Sequence, residues 1–148
     1  MLPVIVRPYR ADDFPTWARL RQELWPEVDE NESRRDLQMF LSAPERYEIL
    51  VAESDGVVVG IIELSIRNYA EGCASDAVGY LEGWYVAPQA RSSGVGRQLV
   101  AAGEAWARSK GCSEMASDAE LPNTISQQAH SRLGYVEVCR NVCYRKDL

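Results

Sequence analysis

The chain has 148 residues, 46% of them hydrophobic and 26% charged, and carries a formal net charge of −6. These values describe one ordinary globular domain over residues 1–148 and exclude a disordered chain; no apolar run is long enough to span a membrane. The acidic balance argues against a nucleic-acid partner, which would favour a basic patch, and suits a small cationic substrate.

From the start, Val4 to Pro8 reads as a strand, and MLPVIVRPYR lacks the charged start and long apolar stretch of a signal peptide. Asp12 is the expected N-cap of a helix whose face carries Phe14, Trp17, Leu20 and Leu24, and Pro26 stops that helix at Trp25. Glu27 to Arg35 reads as charged and irregular, followed by a short helix with Leu37, Phe40 and Leu41 that ends at Pro44. Tyr47–Glu53 and Val57–Arg67 are apolar runs separated by Ser54-Asp55-Gly56, a strong hairpin signal. A loop, Asn68 to Ala77, leads to a central strand with Tyr80, Leu81, Trp84, Tyr85 and Val86 that stops near Pro88.

Next comes Arg91-Ser92-Ser93-Gly94-Val95-Gly96-Arg97, opening a helix whose face carries Val95, Leu99, Ala102 and Trp106 and which ends near Lys110-Gly111. A strand, a glycine-containing loop and a helix start make an anion site, because the first-turn N–H groups are free and the helix dipole favours negative charge there. Leu99 stands where a dinucleotide fingerprint needs its third glycine, and no Gly-Lys-Ser/Thr is present for a phosphate loop of the Walker type. Glu114–Ser117 reads as a buried strand, Asn123–Leu133 as a helix, and Tyr135–Cys139 and Val142–Arg145 as closing strands. The element order β-α-α-β-β-β-α-β-α-β-β is a mixed-sheet α/β layout.

Two carboxylates stand out. Glu82 interrupts an apolar strand beside Gly83, so it is a working group, half of an internal ion pair or a strand-edge residue facing water, and the neighbouring glycine favours the first. Asp118 follows a strand end, where ligands gather in α/β sheets and where loop-capping aspartates also sit. The cysteines, Cys73, Cys112, Cys139 and Cys143, show no C-x-x-C spacing and read as reduced thiols of a cytoplasmic protein. His130 is the single histidine, so no zinc set is expected, and no metal.

R-x-x-G-x-G after a strand ending V-x-P resembles the acyl-CoA loop of the GNAT superfamily of N-acyltransferases. That resemblance implies the GNAT fold, a single mixed twisted sheet flanked by helices on both faces. It also implies acetyl-CoA as cosubstrate, its pyrophosphate held by Ser92, Ser93, Gly94, Val95, Gly96 and Arg97 and its pantetheine arm by Trp84, Tyr85 and Val86. The segments QELWP, SIRNYAEGC, YLEGWYVAP, GCSEMASD, NTISQQAH, LGY and YRK further resemble the aminoglycoside 6′-N-acetyltransferases.

Carried over by match, the substrate-site aromatics are Trp25 and Tyr69, the carboxylates Glu82 and Asp118, and the acetyl-CoA asparagine Asn123. The family's acid before an arginine is replaced by Cys139, leaving Glu137 on the same strand face as its candidate substitute. His130 falls where many such enzymes place a proton donor to the leaving thiolate, and a structural histidine is the alternative. The resemblance implies direct acetylation of an aminoglycoside 6′-amine by a homodimer, with Glu82 receiving the proton. The rivals are a related acetyltransferase of a polyamine or amino acid, and a binding module without turnover.

Overall fold

The computed structural model describes residues 3–148. Asp55 and Gly56 both take positive φ, 51° and 74°, the backbone of a two-residue primed turn whose twist matches that of its flanking strands. That turn sets β2 (Tyr47–Ser54) antiparallel to β3 (Val57–Arg67). Around this hairpin, β1 (Val4–Pro8) adds to β2, β4 (Val78–Val86) adds antiparallel to β3, and β5 (Met115–Ser117) adds parallel to β4. The result is one five-stranded mixed sheet in the order β1-β2-β3-β4-β5.

Helices cover both faces. On one side α1 (Phe14–Leu24) and α2 (Glu30–Ser42) bury Trp17, Leu20 and Phe40 against Ile49, Val51, Val58 and Ile61. On the other, α3 (Val95–Ser109) presses Val95, Leu99 and Val100 onto Leu50, Ile62, Leu64 and Leu81. Burying a side chain such as Leu20 or Leu99 contributes roughly 1.5–3 kcal/mol. The last helix, α4 (Thr124–Arg132), follows β5.

Three expectations change. Asp13, not Asp12, is the acid that organises the first turn: it accepts from the Arg10 amide at 2.7 Å and from both terminal nitrogens of Arg7. α2 starts at Glu30, inside the stretch read as irregular, because the Asp29 side chain caps the Glu32 amide at 2.8 Å and Glu30 and Glu32 complement the dipole. The two closing strands do not form. Residues 135–148 pair with no strand among the described residues, although Val136, Val138, Val142 and Tyr144 keep a strand-like alternation and are exposed. Alternation alone gives a strand only where a partner edge supplies the hydrogen bonds.

Candidate active site

β4 carries one residue more than β3 at the centre of the sheet. Gly83 pairs with Glu63 and Leu81 with Leu64, so Glu82 is the extra residue of a β-bulge. Glu82 and Gly83 therefore both face the α1 side, while Leu81 before them and Trp84 after them face α3. β5 follows β4 only from Gly79 to Leu81, and beyond Leu81 β4 runs on to Val86 paired with β3 alone. A fork opens there, with the Ser117 hydroxyl at its base, 3.3 Å from the Leu81 carbonyl.

On the α1 side the bulge supports a polar cluster. The Glu82 carboxylate accepts from the Ser65 hydroxyl at 2.6 Å and from Arg67 twice, Nε to Oε1 at 2.9 Å and Nη2 to Oε2 at 2.7 Å. The Arg67 guanidinium lies 3.5 Å from the centre of the Tyr80 ring, and the Tyr80 hydroxyl donates to Asp118 Oδ2 at 2.5 Å. Burial, and then that bond to Asp118, push the Tyr80 phenol well above its ordinary range, so it stays a neutral donor. Asp118 forms no ion pair among the described residues and stands exposed at the β5 end.

Trp25 leans over the bulge: a Cβ on Gly83 would lie 2.6 Å from its ring, so only glycine admits the indole there. Beneath it runs a buried charge network. Arg21 stacks 4.8 Å from Trp17 and 5.3 Å from Trp25, bonds Ser33 and Asp36, and pairs with Glu63 at 3.1 Å without hydrogen-bond alignment. Burial pushes the Glu63 carboxyl up to about 7 against the opposing pull of Arg21.

Tyr69 is exposed on the loop after β3, its hydroxyl raised by a bond to Glu71. Glu114 pins that loop, accepting from the Ala74 and Ser75 amides and the Ser75 hydroxyl. Val138 of the tail packs onto Gly72 of the same loop, which brings Cys139 towards Tyr69. Glu137 is exposed and held by Arg140 at 2.5 Å, which keeps its carboxyl below the ordinary range.

At the α3 start, Gly94 takes a left-handed φ of 86° as N-cap, and the first helical bond runs from Gln98 to Gly94. By helix geometry the amides of Gly94, Val95, Gly96 and Arg97 have no acceptor within the helix. The preceding turn is folded by Ser93, whose hydroxyl donates to the Ala90 carbonyl at 2.5 Å, and by Ser92 at φ 62°. Gly96 has a separate reason to be glycine, since its Cβ would meet Trp84 at 3.0 Å. The Trp84 indole N–H is buried without a partner beside this helix start. Free amides, a left-handed glycine and an open fork fit an extended phosphate-bearing cosubstrate.

Tyr85 turns to the other face and donates to Glu23 at 3.0 Å, and Val86 offers its carbonyl to Arg91. Asn123 caps α4 through the Ser126 amide at 3.1 Å. His130 has both ring nitrogens engaged: Nδ1 lies 2.7 Å from the Ser126 carbonyl and Nε2 2.8 Å from the Ser117 hydroxyl. A carbonyl can only accept, so Nδ1 carries a proton. Its ring packs edge-on against Trp84 and Tyr135.

The model of the acetyltransferase (GNAT) family matches residues 14–135. The chain belongs to the GNAT family. Among curated GNAT relatives, an aminoglycoside N(6′)-acetyltransferase type 1 of Klebsiella aerogenes is 47% identical over 97% of each chain. One from Salmonella typhimurium is 43% identical over 95% of this chain and 97% of the relative. Among solved structures, AAC(6′)-Iy with the bisubstrate analog CoA-S-monomethyl-acetylneamine superposes with a TM-score of 0.93 at 39% identity, covering 99% of each chain.

Within this GNAT fold the sequence-derived residues fall into two groups. Glu82, Asp118 and Trp25 gather around the bulge; Trp84 and the loop 92–97 gather at the α3 start. Tyr69 and Glu137 lie outside both, on the loop and tail. Ser65, Arg67, Tyr80 and Glu114 escaped the sequence reading. Their signal was present: Glu63, Ser65 and Arg67 alternate as polar residues through the apolar strand β3 and so share one face.

Proposed function

We propose that this chain transfers the acetyl group of acetyl-CoA directly to the 6′-amino group of an aminoglycoside. The observation that carries the reading is the likeness, over 99% of each chain, to a structure holding CoA joined to an acetylneamine. Acetyl-CoA threads the fork, its pyrophosphate on the amides of 94–97 and its pantetheine along Trp84 to Val86. Asp118, which forms no ion pair among the described residues, attracts a substrate ammonium, and Trp25 supplies the apolar wall beside Gly83. The amine gives up a proton, attacks the thioester carbonyl and forms the C–N bond; the C–S bond breaks and the thiolate takes a proton. Glu82 faces this amine and passes its proton on through a water, because Arg67 and Ser65 already occupy most of its acceptor positions. With both nitrogens engaged, His130 supports the fork and carries no step.

No group of three or more His, Cys, Asp or Glu side chains that could hold a metal ion occurs among the described residues. No described helix is long and apolar enough to cross a membrane. A cytoplasmic location is proposed from the four unpaired cysteines and the intracellular supply of acetyl-CoA. A homodimer is proposed because the tail exposes Val136, Val138, Val142 and Tyr144 in alternation, a strand that a second copy would pair. Light scattering of the full chain, against one cut after Tyr135, tests it: a monomeric full chain refutes the dimer.

Mass spectrometry of kanamycin or tobramycin incubated with acetyl-CoA and protein tests the reaction. One acetyl group on the 6′-nitrogen is expected, and none on a 6′-hydroxyl analogue. Acetylation of polyamines but not aminoglycosides would favour the alternative amine, for which Cys139 in place of the family acid speaks.

A further inference from the structure

We infer that Arg67 is a positioning residue that leaves Glu82 one fixed acceptor, on Oε2, to present to the reacting amine. A carboxylate has about four acceptor positions. Oε1 uses two of its own, for the Ser65 hydroxyl at 2.6 Å and Arg67 Nε at 2.9 Å. Oε2 uses one, for Arg67 Nη2 at 2.7 Å. The two parallel Arg67 bonds fix the plane of the carboxylate, as a planar fork does and a point charge does not.

The guanidinium is itself held from the opposite side by the Tyr80 ring at 3.5 Å, and Tyr80 in turn holds Asp118 at 2.5 Å. One arginine thus sets the attitude of Glu82 and braces the phenol that orients Asp118. It also offsets the Glu82 charge, so the cation-attracting charge of the cluster sits on Asp118. The division of labour follows: Asp118 draws in the ammonium, and Glu82 aligns what moves at the amine. Arg67 is 42% exposed at the end of β3, so its replacement removes the fork without opening the core.

This inference rests on the proposed role of Glu82, and a double-mutant cycle separates the two. Steady-state kcat/KM for aminoglycoside acetylation would be measured for R67Q, R67K, E82Q and R67Q/E82Q, each with its melting temperature and acetyl-CoA KM. Loss of alignment should cost roughly 10–100-fold in R67Q, mostly in kcat, with the acetyl-CoA KM unchanged. R67K should resemble R67Q, because lysine keeps the charge and loses the fork. The double variant should be no slower than the slower single variant.

Multiplied losses in the double variant would overturn the inference, and so would an R67K as fast as wild type. A lower aminoglycoside KM in R67Q would overturn it too, showing that Arg67 merely competes with substrate for the carboxylate. Wild-type turnover in E82Q would remove both the inference and the role assigned to Glu82, whereas a slow E82Q with multiplied losses removes the inference alone.

Discussion

Replacing Gly83 with alanine tests whether the contact between Trp25 and the bulge shapes the substrate wall. The new Cβ would lie 2.6 Å from the far edge of the indole, against an ordinary carbon–carbon separation of about 3.5–4.0 Å, so the ring must retreat by about 1 Å. Overpacking of this kind costs roughly 1–3 kcal/mol. Trp25 is only partly buried and can yield, which places the cost in the lower half of that range, a fall in Tm of about 2–6 °C for a chain of this size. The effect on catalysis should be larger, since a displacement of about 1 Å near the chemistry can cost up to 10²-fold. Initial rates at varied aminoglycoside and fixed acetyl-CoA should show a raised aminoglycoside KM or lowered kcat, while the acetyl-CoA KM stays put. A G83A enzyme with wild-type kcat/KM for aminoglycoside would refute the reasoning, however far its Tm moved.

G94A puts a side chain into a left-handed backbone, at a cost of about 1–2 kcal/mol, and should weaken acetyl-CoA binding in titration calorimetry by misaiming the loop amides. G96A should weaken it as well by pressing on Trp84, visible as a change in tryptophan emission. D118N should raise the aminoglycoside KM about tenfold or more with little change for acetyl-CoA, and its aminoglycoside affinity should depend less on salt. Glu63, raised to about 7 when folded from an ordinary value near 4.5, binds its proton more tightly in the folded chain. Wild-type stability relative to E63Q should therefore fall as pH rises from about 4.5 to 7 and level off above; a Tm difference flat across that window would contradict the buried, desolvated carboxyl.

Where local chemistry dictates structure, the sequence was legible. Asp55-Gly56 names its own turn, and the spacing of Val95, Leu99, Ala102 and Trp106 gives α3 its buried face. Glu82 was readable as anomalous, because a carboxylate in an apolar strand needs a partner; which partner it took depended on the bulge, which turns it onto the face of β3 that carries Ser65 and Arg67. Asp29 hid among charges that resemble a solvated loop until its cap was seen. The tail misled for another reason. Val136, Val138, Val142 and Tyr144 have the alternation of strands, but pairing is a property of two segments, and the alternation describes only one.

The bulge has a further consequence. Since Leu81 and Trp84 face one way while Tyr80 and Tyr85 face the other, the ladder would close correctly with Glu82 absent; it is a supernumerary residue. The carboxylate proposed to receive the amine's proton is therefore mounted on a position that the sheet's own alternation never counts. Under the proposed role of Glu82, changing that letter would edit the reaction while leaving every other side chain of β4 on its accustomed side, which would make the bulge a natural place for such a scaffold to acquire a different acceptor amine.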